Sequence, residues 1–225
     1  MIRDLCIRQP ITVSDRRLAE RCARGRVVVI DDDAEILLAL CALFELEGYA
    51  CETYDSAVAF LQVLSENGPC FPGPCCLLCD VRMPQIDGLE LQRRLKELGD
   101  APMLLMSGSS GAPEAASAFR AGALDFLIKP MKAETLLDAV TKALAVSAQR
   151  QHQRTRRDEL ATRLNALTER EREIAQRVAL GQRNLEIADA LGIALRTVKR
   201  HRHQVMEKLE VDTLVDLVHV IDEMK

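Results

Sequence analysis

The amino-acid sequence predicts a doubly wound α/β domain built on a five-stranded parallel sheet, followed by a small all-α domain. Between residues 26 and 146, short apolar runs alternate with segments whose apolar residues recur at helical spacing, which is typical of a parallel sheet covered by helices. From Leu167 onward, the apolar spacing is helical throughout. A chain of 225 residues has room for two such domains.

The elements of the first domain follow from local composition. The run at Arg26–Ile30 is apolar, as expected for a central parallel strand, whereas Ala50–Tyr54 is partly polar and fits an edge strand. Gly48 and Gly122 end the first and fourth helical segments. The predicted strands are Arg26–Ile30, Ala50–Tyr54, Cys75–Asp80, Pro102–Met106 and Leu124–Ile128. The predicted helices are Ala34–Glu47, Ser56–Glu66, Leu89–Leu98, Ala112–Ala121 and one that begins at Ala133 and runs past Val146.

The second domain has the pattern of a helix-turn-helix unit. Thr168 and Glu171 have the spacing of a capping box, and the helix that they open ends near Leu180. A short helix, a turn at Gly192 and a longer helix follow, and this order defines the motif. The helices expected after Leu180 are Asn184–Leu191, Arg196–Leu209 and Thr213–Ile221.

Four segments result from this division of the chain. Residues 1–25 have no clear hydrophobic period, so we expect a poorly ordered extension there. The first domain spans 26–146 and the last spans 167–225. The polar stretch 147–166 favours a helical linker, which is either paired in a dimer or fully solvated.

Composition limits the location and the partners of the protein. Trp is absent and aromatic residues make up 3% of the chain, so the cores must be aliphatic. Because the sequence has neither an apolar run of about 18 residues nor a signal peptide, we expect a soluble, cytoplasmic protein without membrane contact. Residues 26–146 carry nine basic and eighteen acidic side chains, whereas 160–225 carry eleven of each. The last domain is therefore the better candidate for binding nucleic acid.

Polar side chains stand at the ends of the predicted strands. Asp31 and Asp32 follow the first strand, Asp80 ends the third, and Ser107 and Lys129 follow the fourth and fifth. Ligands of open α/β sheets bind at this edge, where the carboxyl ends of the strands meet. Clustered carboxylates favour a hard divalent cation, and Mg²⁺ held by one or two carboxylates beside a phosphoryl group fits this composition.

The motifs VVVIDDD, LLCDVRMPQIDG, LLMSGSS and DFLIKP, in this order, resemble the receiver domain of two-component response regulators over about Arg26 to Val146. The resemblance implies a CheY-like fold, phosphorylation by a sensor histidine kinase, and homodimer formation on phosphorylation. It implies that the phosphoryl group is accepted by Asp80, contacted by Ser107 and Lys129, and sensed by the aromatic switch residue Phe126. The implied Mg²⁺ ligands are Asp31, Asp32, Asp80 and the backbone carbonyl of Arg82.

The third helix of the last domain carries a basic stripe. Its basic side chains recur at three- and four-residue steps and so share one face, which suits the major groove of double-stranded DNA. The alternative is a solvated charged face without a partner. The predicted DNA-contacting residues are Arg196, Thr197, Lys199, Arg200 and His203, with Arg196 and Thr197 near the phosphates.

The stretch from Leu167 to Ile221 closely resembles the LuxR-type output domain of the FixJ/NarL group of response regulators. This resemblance implies transcriptional control, RNA polymerase as a further partner, and pairing of two DNA-binding domains through the helix Thr213–Ile221. Arg200 departs from the pattern of the group, which usually has a small or apolar residue there, so no base preference can be carried over.

Two rival functions remain open on the sequence. Cys70, Cys75, Cys76 and Cys79 lie close to Asp80, and the alternative to buried apolar thiols is a metal or redox site. The chain would then be a thiol-redox-responsive DNA-binding regulator with a degenerate receiver. An aspartyl-phosphate hydrolase of the haloacid dehalogenase class would need a second acid two residues after its nucleophile, where this chain has Arg82, so we expect no enzyme.

Overall fold

The structure is a computed structural model that describes residues 24–67, 73–98, 101–108 and 112–222. The predicted extension lies outside the described residues up to position 23. The chain divides into two compact units, with the boundary between Gln151 and His152. Each unit has its own apolar core.

The first unit contains a parallel sheet with the strand order β2-β1-β3-β4-β5. This confirms the predicted five-stranded, doubly wound fold, with the partly polar strand at an edge. The strands are β1 Arg26–Ile30, β2 Ala50–Tyr54, β3 Cys75–Asp80, β4 Met103–Ser107 and β5 Asp125–Ile128. The helices that begin in this unit are α1 Ala34–Leu46, α2 Ala57–Asn67, α3 Gly88–Leu98, α4 Ala112–Ala121 and α5 Ala133–Asn165, and the last of them continues past the boundary at Gln151.

Several predicted boundaries differ from the structure by a residue. Pro102 precedes β4 instead of beginning it, which fits its lack of an N–H group for the ladder. At the other end, β4 includes Ser107. In β5, Leu124 lies outside the strand. These differences leave the strand ends, where the candidate site lies, at the same edge of the sheet.

The sheet has an apolar cluster on each face. All six residues of β3 are buried, as expected for the central strand of a parallel sheet. Side chains alternate along a strand, so Cys75 and Cys79 join one cluster whereas Cys76 joins the other. Both cores are largely aliphatic, which agrees with the scarcity of aromatic residues.

The second unit is helical and surrounds its own core. Thr168 caps the first of its helices, and the predicted capping box with Glu171 is present. Gly192 has a left-handed conformation with a φ of 62° at the end of the next helix, a conformation that glycine adopts without a Cβ clash. The helices after α5 are α6 Glu169–Ala179, α7 Asn184–Leu191, α8 Leu195–Leu209 and α9 Leu214–Asp222. In the part of the chain that the structure describes, no helix has the length and apolar character needed to cross a bilayer.

Candidate functional site

The first candidate site lies at the carboxyl ends of the strands, where strand register brings two aspartates together. Ile30 of β1 pairs with Cys79 of β3. Because the strands are parallel, the residues that follow this pair, Asp31 and Asp80, lie side by side. The sequence-based expectation that separate strands deliver acids to one edge is thus met by the register.

An ammonium group joins the two aspartates. Lys129 follows β5, and its N–H donates to the carbonyl of Ser107 at 2.7 Å. The Lys129 Nζ donates to Asp31 Oδ2 at 2.6 Å and to Asp80 Oδ1 at 2.5 Å. The peptide bond between Lys129 and Pro130 is cis. One lysine therefore holds both carboxylates from a strand two positions away from β3.

Burial makes these charges strongly dependent on one another. The side chains of Asp31, Asp80 and Lys129 are 2%, 10% and 19% exposed. Burial raises the pKa of Asp31 above 3.8, and the contacts with Lys129 counteract this only in part. Burial lowers the pKa of Lys129, but its bonds to Asp31 and Asp80 outweigh this and raise its pKa above 10.5. The ammonium therefore stays charged between the two carboxylates.

Backbone groups fix the remaining carboxylate oxygens. The N–H of Arg82 donates to Asp80 Oδ2 at 2.6 Å. The N–H of Asp33 donates to Asp31 Oδ1 at 3.0 Å, and Asp33 itself caps α1. Asp80 is thus held at both oxygens, one by Lys129 and the other by the chain just after β3.

The chain after β3 turns back tightly onto the strand. Gly88, the first residue of α3, donates its N–H to the carbonyl of Val81 at 2.9 Å. A Cβ atom on Gly88 would clash with the backbone carbonyl oxygen of Asp80. Only glycine allows this approach without displacement of the backbone that positions Asp80.

The residues around Asp80 fit a magnesium ion. Among the residues described by the structure, no group of three or more Asp, Glu, His or Cys side chains forms a metal cluster. Mg²⁺ needs only one or two carboxylates, because water and phosphoryl oxygens complete its octahedron. Asp31 and Asp80 supply two hard oxygen donors. Asp32 is exposed and lines an adjoining cavity of about 510 Å³ together with Arg82.

The second candidate site is the exposed face of α8. All of the predicted basic residues on this helix are solvent-exposed, and Thr197 is half-buried. The opposite face is apolar, since Val198, Val205 and Leu209 are buried in the core of the second unit. The exposed basic residues of α8 on the predicted stripe are Arg196, Lys199, Arg200 and His203.

Polar contacts fix α8 against its neighbours. The Arg202 guanidinium donates to the Asn184 side chain at the start of α7. Lys208 Nζ donates to Glu171 Oε2 at 2.6 Å, and this glutamate is buried. Burial raises the pKa of Glu171, but the bonds from Lys208 and Thr168 outweigh this and lower it below 4.5. These contacts hold the basic face of α8 outward.

Comparison with known proteins identifies both units. Residues 27–141 match the response regulator receiver domain, and residues 165–221 match the bacterial regulatory proteins of the luxR family. The chain belongs to the response regulator family. It is a two-component transcription regulator with a receiver and a DNA-binding helix-turn-helix domain, which confirms the resemblances noted in the sequence.

Individual relatives are similar to the regulator over nearly its whole length. The response regulator protein TodT of Pseudomonas putida is 36% identical over 218 residues, 96% of this chain and 92% of that protein. The transcriptional regulatory protein FixJ of Azorhizobium caulinodans is 37% identical over 195 residues, 86% and 90% of the two chains. The solved structure of response regulator StyR has 37% identity and a TM-score of 0.78, covering 88% of this chain and 98% of that one.

Two further residues of the predicted receiver site lie on β4 and β5. Ser107 is fully buried at the end of β4. Phe126 pairs with Leu105 in the sheet and is half-buried against the apolar cluster that contains Leu105 and Ala118. The structure therefore places Ser107 beside the start of the Lys129 turn and Phe126 two strands away from Asp80.

Sequence reasoning missed one residue at the rim of the site. Glu114, in the first turn of α4, accepts from Arg82 Nη2 at 2.8 Å and lies 3.5 Å from Ser107 Oγ. Its hydrogen bond raises the pKa of Arg82 above the usual value for an arginine. An acid in the first turn of a helix is common because its negative charge interacts favourably with the positive end of the helix dipole. The sequence therefore contained no signal that distinguished Glu114 from other first-turn acids.

Proposed function

We propose that this regulator is switched by phosphorylation of Asp80 by a sensor histidine kinase in the cytoplasm, and that the phosphorylated form dimerises and binds operator DNA. The observation that carries this proposal is the Lys129 ammonium, which bridges the buried carboxylates of Asp31 and Asp80. We propose residues 26–146 as the receiver, 147–166 as the linker and 167–225 as the output domain, with 1–25 as the extension.

Asp80 is the phosphoryl acceptor in this proposal. A carboxylate oxygen of Asp80 attacks the phosphorus of a phosphohistidine, the P–N bond breaks, and the imidazole leaves with the electron pair. Lys129 already contacts Asp80 Oδ1, so it can follow the phosphoryl oxygens without a large movement. Preorganised charge of this kind stabilises a phosphoryl-transfer transition state without reorganisation during the reaction.

A magnesium ion would be held by the acids beside Lys129. The proposed ligands are Asp31, Asp32, Asp80 and the backbone carbonyl of Arg82. When bound, Mg²⁺ supplies positive charge that neutralises the phosphoryl oxygens. The buried position of Asp31, whose pKa is already raised by burial, supports the need for such a cation.

The switch would act through Ser107 and Phe126. A phosphoryl group adds a charge of about -1.5 to -2 at neutral pH, which draws the Ser107 hydroxyl and the Lys129 ammonium toward it. Phe126 is half-buried and can then fill the space beside Ser107. To reverse a 1:99 equilibrium, phosphorylation must favour the active state by about 5.5 kcal/mol. Several charge-assisted hydrogen bonds can supply much of this free energy.

DNA binding would use the exposed face of α8. Arg196 and Thr197 would contact phosphates, and Lys199, Arg200 and His203 would face the major groove. Pairing of two output domains through α9 would place two such helices on adjacent half-sites. A dimer gains effective concentration for its second contact, so a modest dimerisation free energy changes operator occupancy strongly. RNA polymerase is the proposed partner of the DNA-bound dimer.

The thiol-redox alternative gains little support from the described cysteines. Burial raises the pKa of Cys75 to about 12 and the pKa values of Cys76 and Cys79 well above 9.0. Because the thiolate is the reactive form, these three thiols are poor redox sensors. Cys70 lies outside the described residues.

The test is Mg²⁺-dependent labelling of the full chain by a small phosphodonor such as acetyl phosphate. We expect intact mass to show one phosphoryl group on the wild type and none on Asp80→Ala, and the labelled wild type to elute as a dimer with higher operator affinity. Asp138→Asn, which changes an exposed acid on α5, is the control and should label normally. Equal labelling of wild type and Asp80→Ala would refute the assignment of the acceptor.

A further inference from the structure

One carboxylate at the rim of the receiver site holds two groups that adjoin Asp80. Glu114 Oε1 accepts from the Arg82 guanidinium at 2.8 Å, and Glu114 Oε2 lies 3.5 Å from the Ser107 hydroxyl. Arg82 is also bound to Asp80 through its backbone N–H, at 2.6 Å. Ser107 is the hydroxyl expected to contact a phosphoryl group. Glu114 therefore engages both a cation and a hydroxyl that a phosphoryl group on Asp80 would attract.

The position of Glu114 allows this engagement to be reversed. Its side chain is 29% exposed and that of Arg82 is 67% exposed, and both line the cavity of about 510 Å³ beside β3. A 3.5 Å contact is at the long limit for a hydroxyl hydrogen bond and is therefore weak. An ion pair at this exposure is also weak. Neither contact is strong enough to prevent Arg82 and Ser107 from exchanging partners.

We propose that Glu114 is an internal competitor of the phosphoryl group. In the unphosphorylated protein it holds the Ser107 hydroxyl and the Arg82 guanidinium, and a phosphoryl group on Asp80 must displace it to engage them. This inference rests on the proposed function of Asp80. Glu114 is a positioning residue in this scheme, since it acts through Ser107 and Arg82.

Three physical effects act in the same direction. Glu114 competes for the Ser107 hydroxyl, competes for the Arg82 guanidinium, and repels the negative phosphoryl oxygens. Removal of its charge should therefore strengthen the binding of a phosphoryl group. Given the exposure of the pair and the length of the hydroxyl contact, the expected gain is roughly threefold to tenfold in affinity.

Arg82 gives the inference a second, independent consequence. A guanidinium presents a planar fork that matches the oxygens of a phosphoryl group. If Glu114 restrains Arg82, part of the gain in a Glu114→Gln protein comes from the released guanidinium. Replacement of Arg82 in that background must then remove part of the gain, whereas an independent effect of Glu114 would leave it intact.

The test is a titration of the full chain with beryllofluoride in the presence of MgCl₂, read by ¹⁹F NMR and by the thermal shift. Beryllofluoride binds to a carboxylate as a phosphoryl analogue. The variants are Glu114→Gln, Glu114→Ala, and Arg82→Ala with and without Glu114→Gln. The matched control is Glu90→Gln, because Glu90 also pairs with arginines, Arg93 and Arg94, and is 32% exposed.

We expect Glu114→Gln and Glu114→Ala to bind beryllofluoride roughly threefold to tenfold more tightly than the wild type, and Glu90→Gln to bind it as the wild type does. In the Glu114→Gln background, Arg82→Ala should remove part of the gain in affinity. Affinity of Glu114→Gln equal to or weaker than that of the wild type overturns the competitor role alone. No Mg²⁺-dependent binding by the wild type overturns the proposed function of Asp80 and this inference with it.

Discussion

Replacement of Lys129 by Met tests whether the ammonium group stabilises the folded receiver by balancing the charges of the buried aspartates. The substitution keeps the aliphatic stem and removes the charge that bonds to Asp31 and Asp80 at 2.6 and 2.5 Å. Because all three side chains are at most 19% exposed, the two carboxylates would remain buried without the ammonium that balances their charge. Breaking a buried pair in this way destabilises a fold by about 3 kcal/mol. For a domain of this size, that corresponds to a decrease of about 10 °C in Tm.

The pH dependence of this loss has a definite sign. On the alkaline side, the raised pKa of Lys129 means that its stabilisation is lost only as pH rises above 10.5 through the folded-state pKa. Burial raises the pKa of Asp31 above 3.8, and loss of Lys129 raises it further. The folded variant then binds a proton more tightly than the unfolded chain does. The stability of Lys129→Met should therefore recover as pH falls from 7 toward 3.8.

Thermal unfolding of the full chain at pH 7 and pH 5, with EDTA or MgCl₂, measures these effects. Mg²⁺ should raise the Tm of Lys129→Met more than that of the wild type, because the ion replaces the missing positive charge between the carboxylates. Lys142→Met, which changes an exposed lysine on α5, is the control and should shift Tm little. The reasoning is refuted if Lys129→Met is as stable as the wild type in EDTA at pH 7.

Two further predictions concern the output domain and the turn after β3. Glu171→Gln keeps the capping interaction with Thr168 but loses the charged bond to Lys208, so it should destabilise the output domain by about 1–2 kcal/mol. Glu171→Ala should cost about 1 kcal/mol more. Hydrogen exchange in α6 of the full chain measures the loss of stability in both variants, and the exposed Glu169→Gln is the control. The difference in stability between the wild type and Glu171→Gln should vanish as pH falls through the lowered pKa of Glu171. Gly88→Ala should destabilise the receiver by about 1–3 kcal/mol and weaken beryllofluoride binding, because its Cβ meets the carbonyl of Asp80. Gly108→Ala, whose Cβ meets nothing within 4 Å, should do neither in the same unfolding and titration experiments.

The strand-end residues illustrate how far a sequence pattern reaches. A run of apolar residues that stops at Asp80 indicates both a buried strand and the edge of the sheet, at the carboxyl end of that strand, at which the acid lies. Parallel strands all present their carboxyl ends at one edge, so the presence of Lys129 at the same edge as Asp31 and Asp80 could be expected, whereas its direct contact with both acids was not predicted. The capping box at Thr168 was equally predictable, since all of its atoms lie within one turn of helix.

Side-chain contacts between helices and strands that are far apart in the sequence could not be predicted in this way. Glu114 meets Arg82 and Ser107, and Lys208 meets Glu171, although nothing in their spacing connects them. Their geometry depends on how helices pack on the sheet and on one another. The missed rim residue and the missed ion pair are both of this kind.

By itself, the sequence determined the fold class, the two-domain organisation, the family and the edge of the sheet at which the acids lie. Hydrophobic periodicity and short motifs carry that information, because each is a property of neighbouring residues. Only the tertiary structure decided which oxygen of Asp80 faces Lys129, which thiols are buried, and which carboxylate holds Ser107 and Arg82. These depend on strand register and helix packing, where a shift of a few ångströms changes a partner while the sequence pattern stays the same.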